Sequence, residues 1–266
     1  GQLHSNTDID YYSFAATAAG TVSIDFDPTV NSNGLLYYSI SLLDGSGSIL
    51  ASQDVGKDAK FSTGVTSAGT YYVTVDAFQY SWATTQHDSG EYSLTASIAT
   101  GSTANIETEN NNSRSTADAL VSGSSIRGQL HSNTDIDYYS ISAASPGSIS
   151  IDFDPTVDSS WMAYYSVSLL DSSGNVLSSQ DVGTDTKFSA GLYSAGTYYV
   201  VVDAYSSYYS TSRHSGEYSL TASLMASSSN FETESNDTRI TADSLVSGSE
   251  ITGQLHSNTD IDYYSF

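Results

Sequence analysis

The chain has 266 residues, with 30 acidic against 7 basic side chains, a formal charge of −23, no cysteine and 3 prolines. With so few Lys and Arg and no basic cluster, nucleic-acid backbones and anionic membrane surfaces are poor partners. Zero cysteines exclude disulfides, thiolate metal sites and a cysteine nucleophile, and no apolar run is long enough to span a bilayer.

In chain order, the first element is GQLHSNTDIDYYSF at 1–14, which returns as GQLHSNTDIDYYSI at 128–141 and again unchanged at 253–266. Ser23–Val30 returns as Ser150–Val157, Ser67–Val73 as Ser194–Val200, and Gly90–Ser97 as Gly216–Ser223. A lead-in at 106–126 (IETENNNSRSTADALVSGSSI) returns at 231–251 as FETESNDTRITADSLVSGSEI. A period near 125 is the size of a domain, so the expectation is a row of beads, not a solenoid of small repeats. Three segments follow: 1–100, a repeat without its lead-in; 105–224, a complete repeat; and 231–266, the opening of a third. A start at Gly1 without a leader reads as a mature product or an excised piece, and the fourteen-residue overlap favours a window on a longer array.

Within the complete repeat every segment reads as strand. Ser148–Asp154 alternates, with Ile149, Ile151 and Phe153 on one face and Ser150 and Asp152 on the other. Tyr164–Leu170, Asp171-Ser-Ser-Gly174 and Asn175–Ser179 spell a hairpin around a glycine-containing turn. Glu217–Leu224 alternates again, with Tyr218, Leu220, Ala222 and Leu224 inward, and only Ser115–Leu120 suggests a helical turn. Short strands with frequent turns predict an all-β protein of tandem antiparallel, jelly-roll-like β-sandwiches.

Two residue sets carry chemistry. Glu107, Glu109, Asn111 and Asn112 of the lead-in, with Ser132, Asp135 and Asp137, are all hard oxygen donors. The third repeat supplies Glu232, Glu234, Asn236, Asp237, Ser257, Asp260 and Asp262, and the first supplies Ser5, Asp8 and Asp10. In an extended lead-in, residues two apart share a face, so each Glu-x-Glu-x-Asn points one way. A solvated acidic linker is the plainer explanation of such a set. Asp137 and Asp262 also suit a role in ordering the strand start, and Asn112 opposite Asp237 leaves the two sites unequal in charge. The second set is aromatic: Tyr80, Trp82, Trp161, Tyr208 and Tyr209 fall between strand signals, where they would grip a polymer or a neighbouring bead, or else cap the sandwich ends. No catalytic residue is assigned. His131, Ser132 and Asp135 are triad residue types without a nucleophile elbow, and they recur as a repeat element does.

The Glu-x-Glu-x-Asn lead-in, Asp-Ile-Asp-Tyr-Tyr-Ser, Leu-Leu-Asp-x-x-Gly, Ala-Gly-Thr-Tyr-Tyr-Val and Gly-Glu-Tyr-Ser-Leu-Thr occur in this order through 105–224. This series resembles the bacterial pre-peptidase C-terminal domain, to which collagenase collagen-binding domains are similar. The resemblance implies a compact β-sandwich on a secreted bacterial protein, with Ca²⁺ held by the oxygen donors named above. No peptidase accompanies it here. The expected function is a structural repeat region of an extracellular fibre or adhesin stalk, stiffened by calcium between beads. Its partners would be neighbouring repeats of the same chain or a homopolymer. The alternative is a targeting module that binds collagen, polysaccharide or another extracellular-matrix polymer for a secreted hydrolase.

Overall fold

A computed structural model describes residues 1–5, 7–29, 38–78, 90–155, 165–205, 216–226 and 230–266. Two compact units emerge: one is Gly1–Asn110 with Gln129–Ser132 and a short stretch ending at Glu217, and the other is the remainder to Phe266.

In the first unit, β1 (Ile9–Ala16), β3 (Tyr38–Leu43), β4 (Ile49–Val55) and β6 (Gly69–Ala77) form one sheet in the order β1-β6-β3-β4. Strands β2 (Gly20–Pro28), β5 (Ala59–Val65) and β7 (Tyr92–Thr100) form the other, in the order β5-β2-β7. The alternation that sequence alone implies is realised in β2, where Val22, Ile24 and Phe26 are buried and Asp25 and Asp27 face out. The two sheets enclose a core in which Phe26 packs against Tyr38 and Tyr92 at ring-centroid distances of 5.1 and 5.2 Å.

The second repeat follows this plan and adds to it. Strands β10 (Ile136–Ala143), β12 (Tyr165–Leu170), β13 (Val176–Val182) and β15 (Gly196–Ala204) form a sheet closed on one side by β8 (Asp118–Ala119). Strands β11 (Gly147–Pro155), β14 (Thr186–Leu192) and β16 (Glu217–Ala226) form the other, flanked by β9 (Ser125–Gln129). Phe153 meets Tyr165 and Tyr218, both at 5.1 Å, so the aromatic centre is reproduced almost atom for atom. Each such ring contributes roughly 1.5–3 kcal/mol through burial alone. Both lead-in strands cover sheet edges that would otherwise present unpaired backbone groups.

Of the hairpin expected at 164–179, the described residues show both arms, Tyr165–Leu170 and the strand that opens at Val176. The Asp171 carboxylate accepts from the Ser173, Gly174 and Asn175 N–H groups at 2.8–2.9 Å, while Gly174 takes φ 95°. A left-handed turn residue of that kind favours glycine. Ser115–Leu120 makes no helical turn: Thr116 N–H closes a turn on the Ser113 carbonyl and the chain enters β8 directly. No helix occurs among the described residues, hence none long and apolar enough to cross a membrane. The third repeat contributes β17 (Asp243–Ser244) and β18 (Tyr264–Ser265), paired in parallel as β8 pairs with β10.

Candidate cation site

The third repeat holds its acidic set within a single unit. After Glu232 and Glu234, the chain turns through β17, and 253–262 then brings His256, Asp260 and Asp262 back against them. Ligand-type atoms of Glu232, Glu234 and Asp262 lie within 4.8 Å of one another, as do those of Glu234, His256 and Asp260.

Glu232 is fixed by donors. Its carboxylate accepts the Gln254 N–H, the Tyr264 hydroxyl at 2.5 Å and the Asn236 side-chain amide at 3.4 Å. The same Asn236 amide donates to Asp243 at 3.2 Å, and Asp243 in turn receives the Thr233 N–H and hydroxyl, both at 2.8 Å. These bonds orient Asn236 so that its oxygen, not its nitrogen, is left over. Four oxygens then remain buried without a hydrogen-bond partner among the described residues: Glu234 Oε1, Asn236 Oδ1, Asp260 Oδ1 and Asp262 Oδ1. Glu234 is only 8% exposed and Asn236 is fully buried. Buried acceptors without donors are costly, and these four share one neighbourhood.

The electrostatics agree. Burial, then the Asp260 carboxylate, push the Glu234 carboxyl up to about 7. Burial, then Glu232, push Asp262 up to about 6. Both shifts say that the negative charge is under-compensated where it stands. His256 stands beside these carboxylates: Nδ1 sits 2.7 Å from Asp260 Oδ2 and 3.4 Å from Glu234 Oε1. An oxygen-rich cradle short of positive charge suits a hard divalent cation. A deprotonated His256 would add a nitrogen and suit a softer ion.

The remaining expected residues sort clearly. Asp237 and Ser257 are exposed, and Ser257 Oγ bonds Thr259 Oγ1 at 3.2 Å, so neither joins the four oxygens by burial. In the middle repeat, Glu107 is fully buried and accepts Gln129 N–H at 2.5 Å, and Glu109 lies 3.4 Å from His131 Nδ1. Asn111, Asp135 and Asp137 are also buried, Ser132 is half-buried and Asn112 is exposed. Asp137 accepts the Tyr218 hydroxyl and Asp10 the Tyr92 hydroxyl, which ties both to the closing strand of their repeats. Ser5 is exposed, and Asp8 receives His4 N–H at 2.8 Å, the main reason its carboxyl lies below the usual range. Tyr80, Trp82, Trp161, Tyr208 and Tyr209 lie outside the described residues.

Sequence reasoning missed His256, Asp243 and Tyr264 as members of this neighbourhood. The signal was present for each, since His4, His131 and His256 recur at one repeat position, and so do Asp118 and Asp243.

No protein-family model matches the chain, and no curated protein matches it. Among solved structures it is similar to the pre-peptidase C-terminal domain of collagenase from Bacillus anthracis, at 22% identity and TM-score 0.30, over 40% of this chain and 93% of that one. It is also similar to a periplasmic inhibitor of g-type lysozyme from Aeromonas hydrophila, at 14% identity and TM-score 0.33, over 41% and 96%. A third similarity is to the N-terminal CBM22 tandem domain of Xyn10C from Paenibacillus barcinonensis, at 11% identity and TM-score 0.27, over 81% and 82%.

Proposed function

We propose that the chain is a stretch of serial β-sandwich repeats from a secreted bacterial stalk or fibre, with Ca²⁺ bound where each lead-in meets its own repeat. The supporting observation is the set of four buried acceptor oxygens on Glu234, Asn236, Asp260 and Asp262, none with a hydrogen-bond donor among the described residues. Calcium would take these as part of a coordination shell of six to eight oxygens, completed by water or by the second oxygens of the carboxylates. Glu232 would act as a peg that positions the lead-in, since its own oxygens already accept three donors. The ion would lock the extended lead-in to the strand start and so restrict bending there. No reaction is assigned to the site.

Calorimetric titration of chelator-treated protein with Ca²⁺ and with Zn²⁺ tests the ion. Calcium binding that survives His256→Gln and is lost in Asp260→Asn fits the proposal. Unchanged melting and scattering in excess chelator would sink it. Electron micrographs of native material should show filaments with an axial repeat of one or two beads, and dispersed short rods would argue against the stalk. A pull-down on insoluble collagen, chitin and cellulose, with Trp82→Ala and Tyr208→Ala, tests the targeting alternative.

A further inference from the structure

We propose that Gly64 and Gly191 form a docking seam: the outer edge of the strand that carries each glycine receives the Glu-x-Glu main chain of the next repeat. The partner is therefore another copy of this repeat, joined by backbone contact instead of a free linker. The proposal rests on the serial-repeat part of the function proposed above and is independent of the cation.

Strands β5 and β14 each end their sheet, so one side of each presents backbone groups with no neighbouring strand. On β5, two N–H groups of that side are taken up from outside the repeat. Gly64 N–H donates to the Glu107 carbonyl at 2.8 Å, with a parallel bridge from Gly64 to Thr108. Two residues earlier, as strand alternation requires, Ser62 N–H donates to the Glu217 carboxylate at 3.0 Å. The lead-in of the second repeat and the first residue of its closing strand thus shield the edge of the first.

The glycine is what admits the lead-in. A Cβ built on Gly64 would stand 2.5 Å from the Glu107 carbonyl oxygen and 2.6 Å from Thr108 Cγ2. A Cβ on Gly191, at the same repeat position, would stand 2.2 Å from the Glu232 carbonyl oxygen and 3.1 Å from Thr233 Cγ2. The same two atoms of the following lead-in are met at both seams, and a carbonyl oxygen cannot swing aside as a flexible side chain can. Neither glycine has the positive φ that would explain it as a turn residue. Within a strand, glycine otherwise carries an entropic cost, and a close backbone approach is one of the few reasons to keep it. Glu107 and Glu232 therefore serve two repeats at once. Their main chain lies on the preceding repeat, while their carboxylates accept Gln129 and Gln254 N–H groups of their own.

Hydrogen exchange on the full chain tests the seam, with Gly64→Val and Gly191→Val against Gly196→Val, whose new Cβ meets nothing within 4 Å. The expected result is about tenfold faster exchange at 105–110 in the first variant and at 230–235 in the second, about 1.4 kcal/mol of local opening, with none in the control. Protection of the lead-ins unchanged in both seam variants would overturn the proposal. If a valine unfolds its host sandwich, the alanine variants decide, and loss of protection at Ile24 and Phe61 in Gly64→Ala would also overturn it. Repeating the series in excess chelator separates the claims. Lead-ins released by valine but insensitive to chelator would leave the seam standing and remove calcium, and the reverse result would do the opposite.

Discussion

Each repeat of this chain meets the lead-in of the next, and the two meetings differ in how they use the glutamine that follows. At the second, Gln254 is fully used: Ser178 hydroxyl donates to its side-chain oxygen, and its amide donates to the Ser179 carbonyl at 3.0 Å. At the first, Gln129 is buried with both side-chain polar atoms lacking a partner among the described residues, and the repeat position of Ser178 is held by Ala51. The backbone approach over the glycine is nevertheless common to both. The lesson is that main-chain fit specifies this contact, while side-chain bonds adjust its strength. A second contrast concerns one repeat position: Tyr12 and Tyr139 meet the hydroxyls of Tyr92 and Tyr218, whereas Tyr264 donates to Glu232.

The comparison can be pressed hardest at the cores. Phe26→Ala and Phe153→Ala remove the same ring from the same aromatic surroundings, so each should cost about 3–5 kcal/mol. Denaturation followed by residue-level exchange should show the loss confined to the mutated repeat, and unequal costs would show that the two sandwiches are not equivalent.

Next in size is the cation. Saturating Ca²⁺ at one hundred times its dissociation constant should stabilise the third repeat by about 2.7 kcal/mol. Asp260→Asn should abolish that gain; differential scanning calorimetry with and without chelator reads it.

The pH dependence follows in the same protein. Glu234 titrates near 7 in the folded state, above its unfolded value, so the fold holds that proton more tightly than the unfolded chain does. Stability in chelator should therefore be greater near pH 5 than near pH 8 and be lost as pH rises through 7. Glu232, Asp260, Asp262 and His256 face this group, so the melting curve should be broad, and saturating calcium should flatten it.

The smallest effects belong to the hydroxyl. Ala51→Ser should stabilise the first meeting by about 1 kcal/mol, and Ser178→Ala should weaken the second by about the same amount. Thermal melts of the single variants and the pair, read as a cycle, would show whether the glutamine is served in each case.

Much of this was legible from residue order. Alternation in Ser148–Asp154 placed Ile149, Ile151 and Phe153 inside, and all three are buried, while Asp152 reaches Lys187 at 3.1 Å on the surface. The Asp-x-x-Gly turns announced themselves through residues whose chemistry closes a turn locally. Within the acidic set, spacing put Glu232 and Glu234 two residues apart, and the fold brings their oxygens within 4.8 Å of one from Asp262. Spacing could not separate Asp237 and Ser257, which are exposed, from Asn236, which is buried, because burial depends on chain arriving from elsewhere.

The sequence by itself determined the repeat, the all-β class, the inward faces and the stock of oxygen donors, since all of these follow from local periodicity and composition. Only the tertiary structure decided which oxygens lose their donors, that His256 and Asp243 belong with them, and why glycine stands at 64 and 191. Those properties come from atoms far apart in the chain, and a missing Cβ declares its purpose only when the atom that would strike it is in place.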